Sequence, residues 1–219
     1  TVPEWGTWLV VLAGLALAPF LLSMVTSFVK LVVVTGILRT ALGTPQIPPN
    51  IVVTGLAMIL TVHVMWPVGV KIAAEFDERQ KAAPDRFVRN ITEAAQGPMR
   101  EFLNKHSKQE NQDMFRGLRQ RLSDNDAPDS ADSGNSSALD DLTILVPAFV
   151  LTELTQAFQI AFIIFIPFLV IDLVVSSVLL AVGMQYLQPT MVSLPLKLLF
   201  FVFIDGWKLV IEGVILSYS

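Results

Sequence analysis

Charge in this chain is confined to one stretch, and that confinement limits the folds open to it more than any other feature. Residues 71–142 hold 11 of the 15 Lys and Arg and 14 of the 19 Asp and Glu. The rest of the chain carries only Lys30, Arg39, Lys197 and Lys208 against Glu4, Glu153, Asp172, Asp205 and Glu212. Long uncharged apolar runs around one polar insert describe a membrane protein. A soluble domain has about 25% charged residues, whereas this chain has 16%. The net charge of −4 gives no basic surface for nucleic acid. Cysteine is absent, which excludes a disulfide framework, a thiolate-held metal and a Cys nucleophile.

Trp8 to Val29 is long enough for one bilayer crossing, which takes about 20 residues. Apolar character resumes after Lys30 and continues to Leu38, so a single helix here would outrun the hydrocarbon core, with Pro19 as a place to kink. Val2 to Trp8 lacks the basic start of a signal peptide, and none is expected there. Ala41 to Asn50 contains Gly43, Pro45, Pro48 and Pro49, which predict a rigid turn with Asn50 placed to cap the next helix. Ile51 to Val70 is a second span-length run.

The insert, residues 71–122, is expected to form two or three small helices. Phe87, Val88 and Ile91, then Met99, Phe102 and Leu103, then Met114, Leu118 and Leu122 recur at helical spacing. Gly97-Pro98 is expected to separate the first two pieces. Residues 123–142 read as a flexible acidic linker, because Ser123 to Asp141 has six Asp and five Ser and little that could form a core. The chain thus divides at 1–70, 71–122, 123–142 and 143–219. In the last part, the 44 residues from Ile144 to Leu187 would reach roughly 66 Å as one helix, about twice the membrane core. They must break, with Pro167 as the natural place, or stand partly outside lipid. Val192 to Leu216 is the final apolar run. The expected fold class is all-α: apolar helical hairpins with a small polar helical insert.

The chemistry lies in the few polar side chains inside apolar runs, since an ionisable group in lipid is costly and normally faces protein or water. Read as one helix, the last run places Lys197, Lys208, Glu212 and Asp205 within about 80° of arc. In the preceding run, Thr152, Glu153, Gln156 and Gln159 share one face, and Asp172 follows Pro167. These faces fit a water-filled path or a subunit seam; they equally fit quiet pairing with neighbouring helices. Both readings call for an oligomer. His63 has no second ligand at metal spacing and reads as a packed or interface histidine, and His106 reads as solvated. No phosphate loop, metal cluster or nucleophile–base set is present, so neither cofactor, metal nor catalysis is expected. Lys30, Arg39 and Lys197, taken as residues of short connections, place the insert outside the cytoplasm by the positive-inside rule.

Several blocks then resemble a known family. Ser27-Phe-Val-Lys-Leu-Val-Val-Val and Leu38-Arg-Thr-Ala-Leu-Gly-Thr-Pro-Gln-Ile-Pro-Pro-Asn50 are similar to the SctR (YscR/HrcR) proteins of type III secretion systems, relatives of flagellar FliP. So are Met99-Arg-Glu-Phe-Leu to Phe115, Leu145-Val-Pro-Ala-Phe through Phe165-Ile-Pro-Phe-Leu-Val-Ile-Asp to Met184, and Ser193-Leu-Pro-Leu-Lys through Ile204-Asp-Gly-Trp207. The resemblance implies a non-enzymatic core subunit of the export gate in the bacterial inner membrane. It implies a pentamer in a ring with the SctS and SctT subunits, through which unfolded substrates pass towards the inner rod and needle. It also implies that helices which look transmembrane stand partly above the bilayer. The family's constriction is a methionine-rich loop after the glycine that here is Gly183. Met184 fits it, Gln185 and Tyr186 depart from it, and Leu187 follows, so a mixed gasket is implied, with thioethers that repack around a passing chain. Ser27 to Lys30 and Met65-Trp-Pro67 favour the injectisome over its flagellar alternative. A proton-coupled small-solute transporter using Glu153 or Asp172 and a non-conducting scaffold are the rival expectations.

Overall fold

The structure is a computed structural model that describes residues 12, 16–17, 19–20, 22–44, 46–83, 86–125, 136–184 and 186–218. The described residues form helices and turns and no strands. The described residues between 12 and 24 are helical, and they are followed by α1 (Phe28–Leu42), α2 (Asn50–Ala82), α3 (Phe87–His106), α4 (Gln109–Asn125), α5 (Ser136–Ala181), α6 (Pro189–Phe203) and α7 (Gly206–Leu216). Of the expected acidic linker, residues 126–135 lie outside the described residues, while the ends of α4 and α5 extend over its flanks.

Three breaks fall in places other than those expected. The first apolar run is interrupted at residues 25–27 rather than at Pro19. Hydroxyls explain the position: Ser23 Oγ donates to the Phe20 carbonyl at 2.6 Å and Thr26 Oγ1 to the Ser23 carbonyl at 3.3 Å, offering the backbone local alternatives to the helix ladder. Gly97-Pro98 does not divide α3, and Pro167 does not divide α5. A proline removes one donor and crowds one carbonyl; in a 46-residue helix that packs on both sides of it, through Ala161 and Phe168, the ladder survives. At about 1.5 Å per residue, α5 is roughly 69 Å long, and it ends instead at a glycine turn.

Contacts divide the chain into two compact units, Thr1–Val29 with Met65–Glu153, and Lys30–Val64 with Leu154–Ser219. The first contains the polar insert. Its core is Ala94, Phe102, Leu103, Leu145, Ala148 and Phe149, all buried, with the Phe102 and Phe149 rings 5.6 Å apart. Burial of each such Leu or Phe is worth about 1.5–3 kcal/mol. The elbow between α3 and α4 is fastened by hydrogen bonds. Buried Gln112 donates through Nε2 to Ser107 Oγ at 2.6 Å and to Asn104 Oδ1 at 3.1 Å. Thr152 of α5 accepts from the Lys108 backbone N–H at 3.0 Å and from Asn111 Nδ2 at 2.8 Å. Ion pairs Lys71–Glu101 and Arg79–Glu93, at 2.7 and 2.8 Å, join α2 to α3, and Arg100 pairs with Asp141 of α5. His106 is half-buried, its ring 4.6 Å from that of Phe102, so it is not the solvated histidine expected. Phe87, Val88, Ile91, Met114, Leu118 and Leu122 stay exposed.

The second unit is built on α1, whose Leu31, Val34, Leu38 and Leu42 recur at helical spacing and are buried. Ala161, Phe168 and Val175 of α5 form a stripe of seven-residue spacing, and the Phe168 ring meets those of Phe200 and Phe201 at 6.1 and 6.3 Å. Much apolar surface remains outward, including Ile51, Ile59, Phe162, Ile163, Leu173, Leu199 and Phe203. Among the described residues two helices, Asn50–Ala82 and Asp141–Ala181, are long and apolar enough to cross a membrane. An apolar face of this extent needs lipid or protein against it.

Candidate functional site

Two lysines of the second unit are buried, and each is held by an acceptor set from other helices. Lys30, at the start of α1, is wholly enclosed. Its Nζ donates to Gln156 Oε1 of α5 at 2.7 Å and to Ser217 Oγ at 3.1 Å, and it sits 3.9 Å over the Tyr218 ring. An ammonium in such a place needs hydrogen bonds and the negative face of a ring in exchange for water. Gln156 is therefore an anchor inside the unit. Neither Lys30 nor Lys197 lies in a short connection, which removes two of the three residues on which the orientation expectation rested.

Lys197 of α6 is the second buried cation. Its Nζ donates to Asp172 Oδ2 of α5 at 2.6 Å and to the Ala41 carbonyl at 3.1 Å. Ala41 lies in the last turn of α1, where carbonyls lack helical partners and the dipole favours a cation. One ammonium thus joins three helices. Asp172 keeps 39% of its side chain exposed, so the pair stands at an edge of the unit.

The turn after α1 is as tight as its prolines predicted. Gly43 has φ 77°; its N–H donates to the Thr40 carbonyl and that of Thr44 to the Arg39 carbonyl, at 3.1 and 3.2 Å. This is the Schellman closure. Arg39 Nη1 donates to the Pro48 carbonyl at 3.0 Å and to Asn50 Oδ1 at 2.7 Å. Asn50 thus receives a guanidinium instead of capping α2, whose first free N–H groups, those of Val52 and Val53, find the Pro49 carbonyl. Pro45 lies outside the described residues.

The expected stripe of Lys197, Asp205, Lys208 and Glu212 does not form, because the last apolar run is two helices. Asp205 takes a left-handed conformation, φ 52° and ψ 47°, between α6 and α7. Gly206 follows, and a Cβ there would fall 2.1 Å from the Phe201 ring. Lys197 is left inside the unit, while Asp205, Lys208 and Glu212 are exposed. Lys208 and Glu212 lie 3.9 Å apart.

Of the other expected residues, Thr152 and Glu153 are fully buried in the first unit. Gln159 is exposed and shares an apolar groove with Ile37, Phe158, Phe162 and Phe165. His63 is exposed on α2. Among the described residues no three His, Asp or Glu side chains gather at metal-ligand spacing. The loop between α5 and α6 repeats the closure of the first turn: Gly183, φ 79°, donates to the Leu180 carbonyl at 3.1 Å and Met184 to the Leu179 carbonyl at 2.9 Å. Pro189 then opens α6 at a position that needs no N–H. Met184, Tyr186 and Leu187 are all exposed, and Gln185 lies outside the described residues.

What sequence reasoning missed is Lys30, Arg39 and the anchoring role of Thr152. Lys30 carried a signal, since it lies between two apolar runs as Asp172 does. Comparison with known proteins gives a consistent result. A family model described as the FliP family matches residues 11–214. The chain is 40% identical over 218 residues to the hypersensitivity response secretion protein HrcR of Ralstonia nicotianae, covering 98% of each chain. It is 40% identical over 218 residues to the Yop proteins translocation protein R of Yersinia pestis, covering 99% of this chain and 98% of that one. It is 43% identical over 212 residues to the flagellar biosynthetic protein FliP of Caulobacter vibrioides, covering 94% of this chain and 73% of the relative.

Proposed function

The chain belongs to the FliP family, and from that premise we propose that it is a pore-forming subunit of a type III secretion export gate. Several copies, with the SctS and SctT subunits, surround a passage for unfolded proteins through the bacterial inner membrane towards the inner rod and needle. The chain contributes structure and lining, with no catalytic step. The polar insert lies on the periplasmic side.

The observation that carries this reading is the α5–α6 hairpin tip. A glycine turn holds the backbone, while Met184, Tyr186 and Leu187 point away from the chain's own core. Exposed apolar groups on a rigid frame suit a seal, because thioether and aromatic side chains fill irregular gaps around a moving polypeptide. The abundant outward apolar surface of the second unit supports burial against sister subunits or lipid.

The experiment replaces Met184 and Tyr186 with Gly in the assembled gate. Membranes carrying the variant should leak small solutes that the parent excludes, and a stalled export substrate should cross-link to a photoreactive residue at 186. Unchanged permeability together with no cross-link would leave only a scaffold. A proton-coupled transporter predicts substrate-dependent proton uptake by the purified protein; the engagement of Asp172 with Lys197 weighs against it. The flagellar gate is the second reading, favoured by the 43% identity to the Caulobacter protein. Restored motility in a strain lacking its own flagellar subunit would select it.

A further inference from the structure

The chain has seven methionines and no cysteine, so an oxidant meets its sulfur only as thioether. Met24, Met65 and Met99 are half-buried, whereas Met58, Met114, Met184 and Met191 are exposed. Two of those four bracket the α5–α6 tip. Met184 ends the glycine turn and Met191 stands in the first turn of α6. Their exposures of 46% and 71% leave both side chains within reach of a small solute.

The frame of the tip does not depend on these side chains. Its closure uses backbone atoms: the Met184 N–H donates to the Leu179 carbonyl, that of Leu187 to the Met184 carbonyl at 3.3 Å and that of Met191 to the Gln188 carbonyl at 3.0 Å. Val182, Leu187 and Val192, close by in sequence, are apolar and exposed as well. A seal made of such groups holds only while they stay apolar. A thioether is the one among them that readily changes, because a single added oxygen turns it into a polar, chiral sulfoxide that disrupts methionine-rich contacts.

We propose that Met184 and Met191 form an oxidation-sensitive seal, a modification site at which a peroxide-class oxidant loosens the constriction. This deepens the export-gate reading and rests on its placing the tip at the passage. The peroxide is the co-reactant. A sulfur lone pair attacks one peroxide oxygen, and the S–O bond forms as the O–O bond breaks. The departing hydroxide takes the remaining proton and leaves as water. Sulfur loses two electrons and the peroxide gains them. A sulfoxide reductase reverses the change, which makes the site a switch.

The test uses the whole gate, expressed with its partner subunits, in membrane vesicles loaded with a small fluorescent solute. Hydrogen peroxide should raise the leak of the parent about tenfold, and a methionine sulfoxide reductase added afterwards should return it to the untreated level. Mass spectrometry should find an added oxygen on both Met184 and Met191. Met184→Leu with Met191→Leu should make the leak insensitive to peroxide, whereas Met58→Leu with Met114→Leu should respond as the parent does. Three results would each overturn the switch: an unchanged leak although both sulfoxides form, a response that persists in the Met184→Leu, Met191→Leu variant, or tip methionines that stay unoxidised while Met58 and Met114 react. The export reading fails separately. If Met184→Gly with Tyr186→Gly does not leak, the tip is no seal; if that variant leaks and peroxide does nothing, only the oxidation inference is lost.

Discussion

Buried charge in this chain is organised one lysine at a time. Lys197 reaches both a carboxylate and an orphan carbonyl of another helix, so its removal strands two acceptors. Replacing Lys197 with Met should lower stability by about 1–3 kcal/mol, the usual cost of an unpaired buried polar group. Thermal unfolding in detergent measures it, and a melting temperature equal to the parent's would mean the Ala41 carbonyl and Asp172 have other partners. The sequence identified Lys197, Asp172 and Gln156 as polar groups needing shelter, and the structure gives each a partner inside the chain. It misjudged the company Lys197 keeps, because a helical projection assumes an unbroken helix. The Asp-Gly pair at 205–206 is a turn signal that deserved more weight than the apolar residues around it.

At the scale of elements, hydropathy located the helices, and local chemistry decided where they stop. Residues 41–50 were legible as a turn because Gly43 and the prolines have fixed backbone preferences. Proline at 167 misled for the opposite reason: tertiary packing can carry a helix past a missing donor, whereas only a residue at ease with positive φ can close one as Gly183 does. Replacing Gly183 with Val should strain the turn by about 1–2 kcal/mol, the penalty for a side chain in the left-handed region. Amide exchange in residues 182–187 should then become faster than in the parent. Equal protection in both proteins would show that the Schellman closure is not what fixes the tip.

For the whole molecule, composition foretold a polar part and an apolar part, whereas the two compact units cut across that contrast, since the first joins the polar insert to Thr1–Val29. Less legible was their make-up, because α2 changes from apolar to charged and α5 from charged to apolar along one continuous helix, and hydropathy alone places a boundary where the backbone has none. Orientation is open to direct measurement. Glu110 is exposed in the first unit, and a cysteine placed there would be the chain's sole thiol. A membrane-impermeant maleimide added to intact spheroplasts should label it. Labelling only after the membrane is opened would put the insert on the cytoplasmic side.

The glycine-closed tip at Gly183 also separates two kinds of inheritance. The frame depends on one residue and two backbone hydrogen bonds, so the side chains that follow can be exchanged without rebuilding it. The residues at 184–187 can therefore be exchanged among gap-filling side chains while the glycine before them stays fixed. That pattern would let the aperture be retuned by single codons.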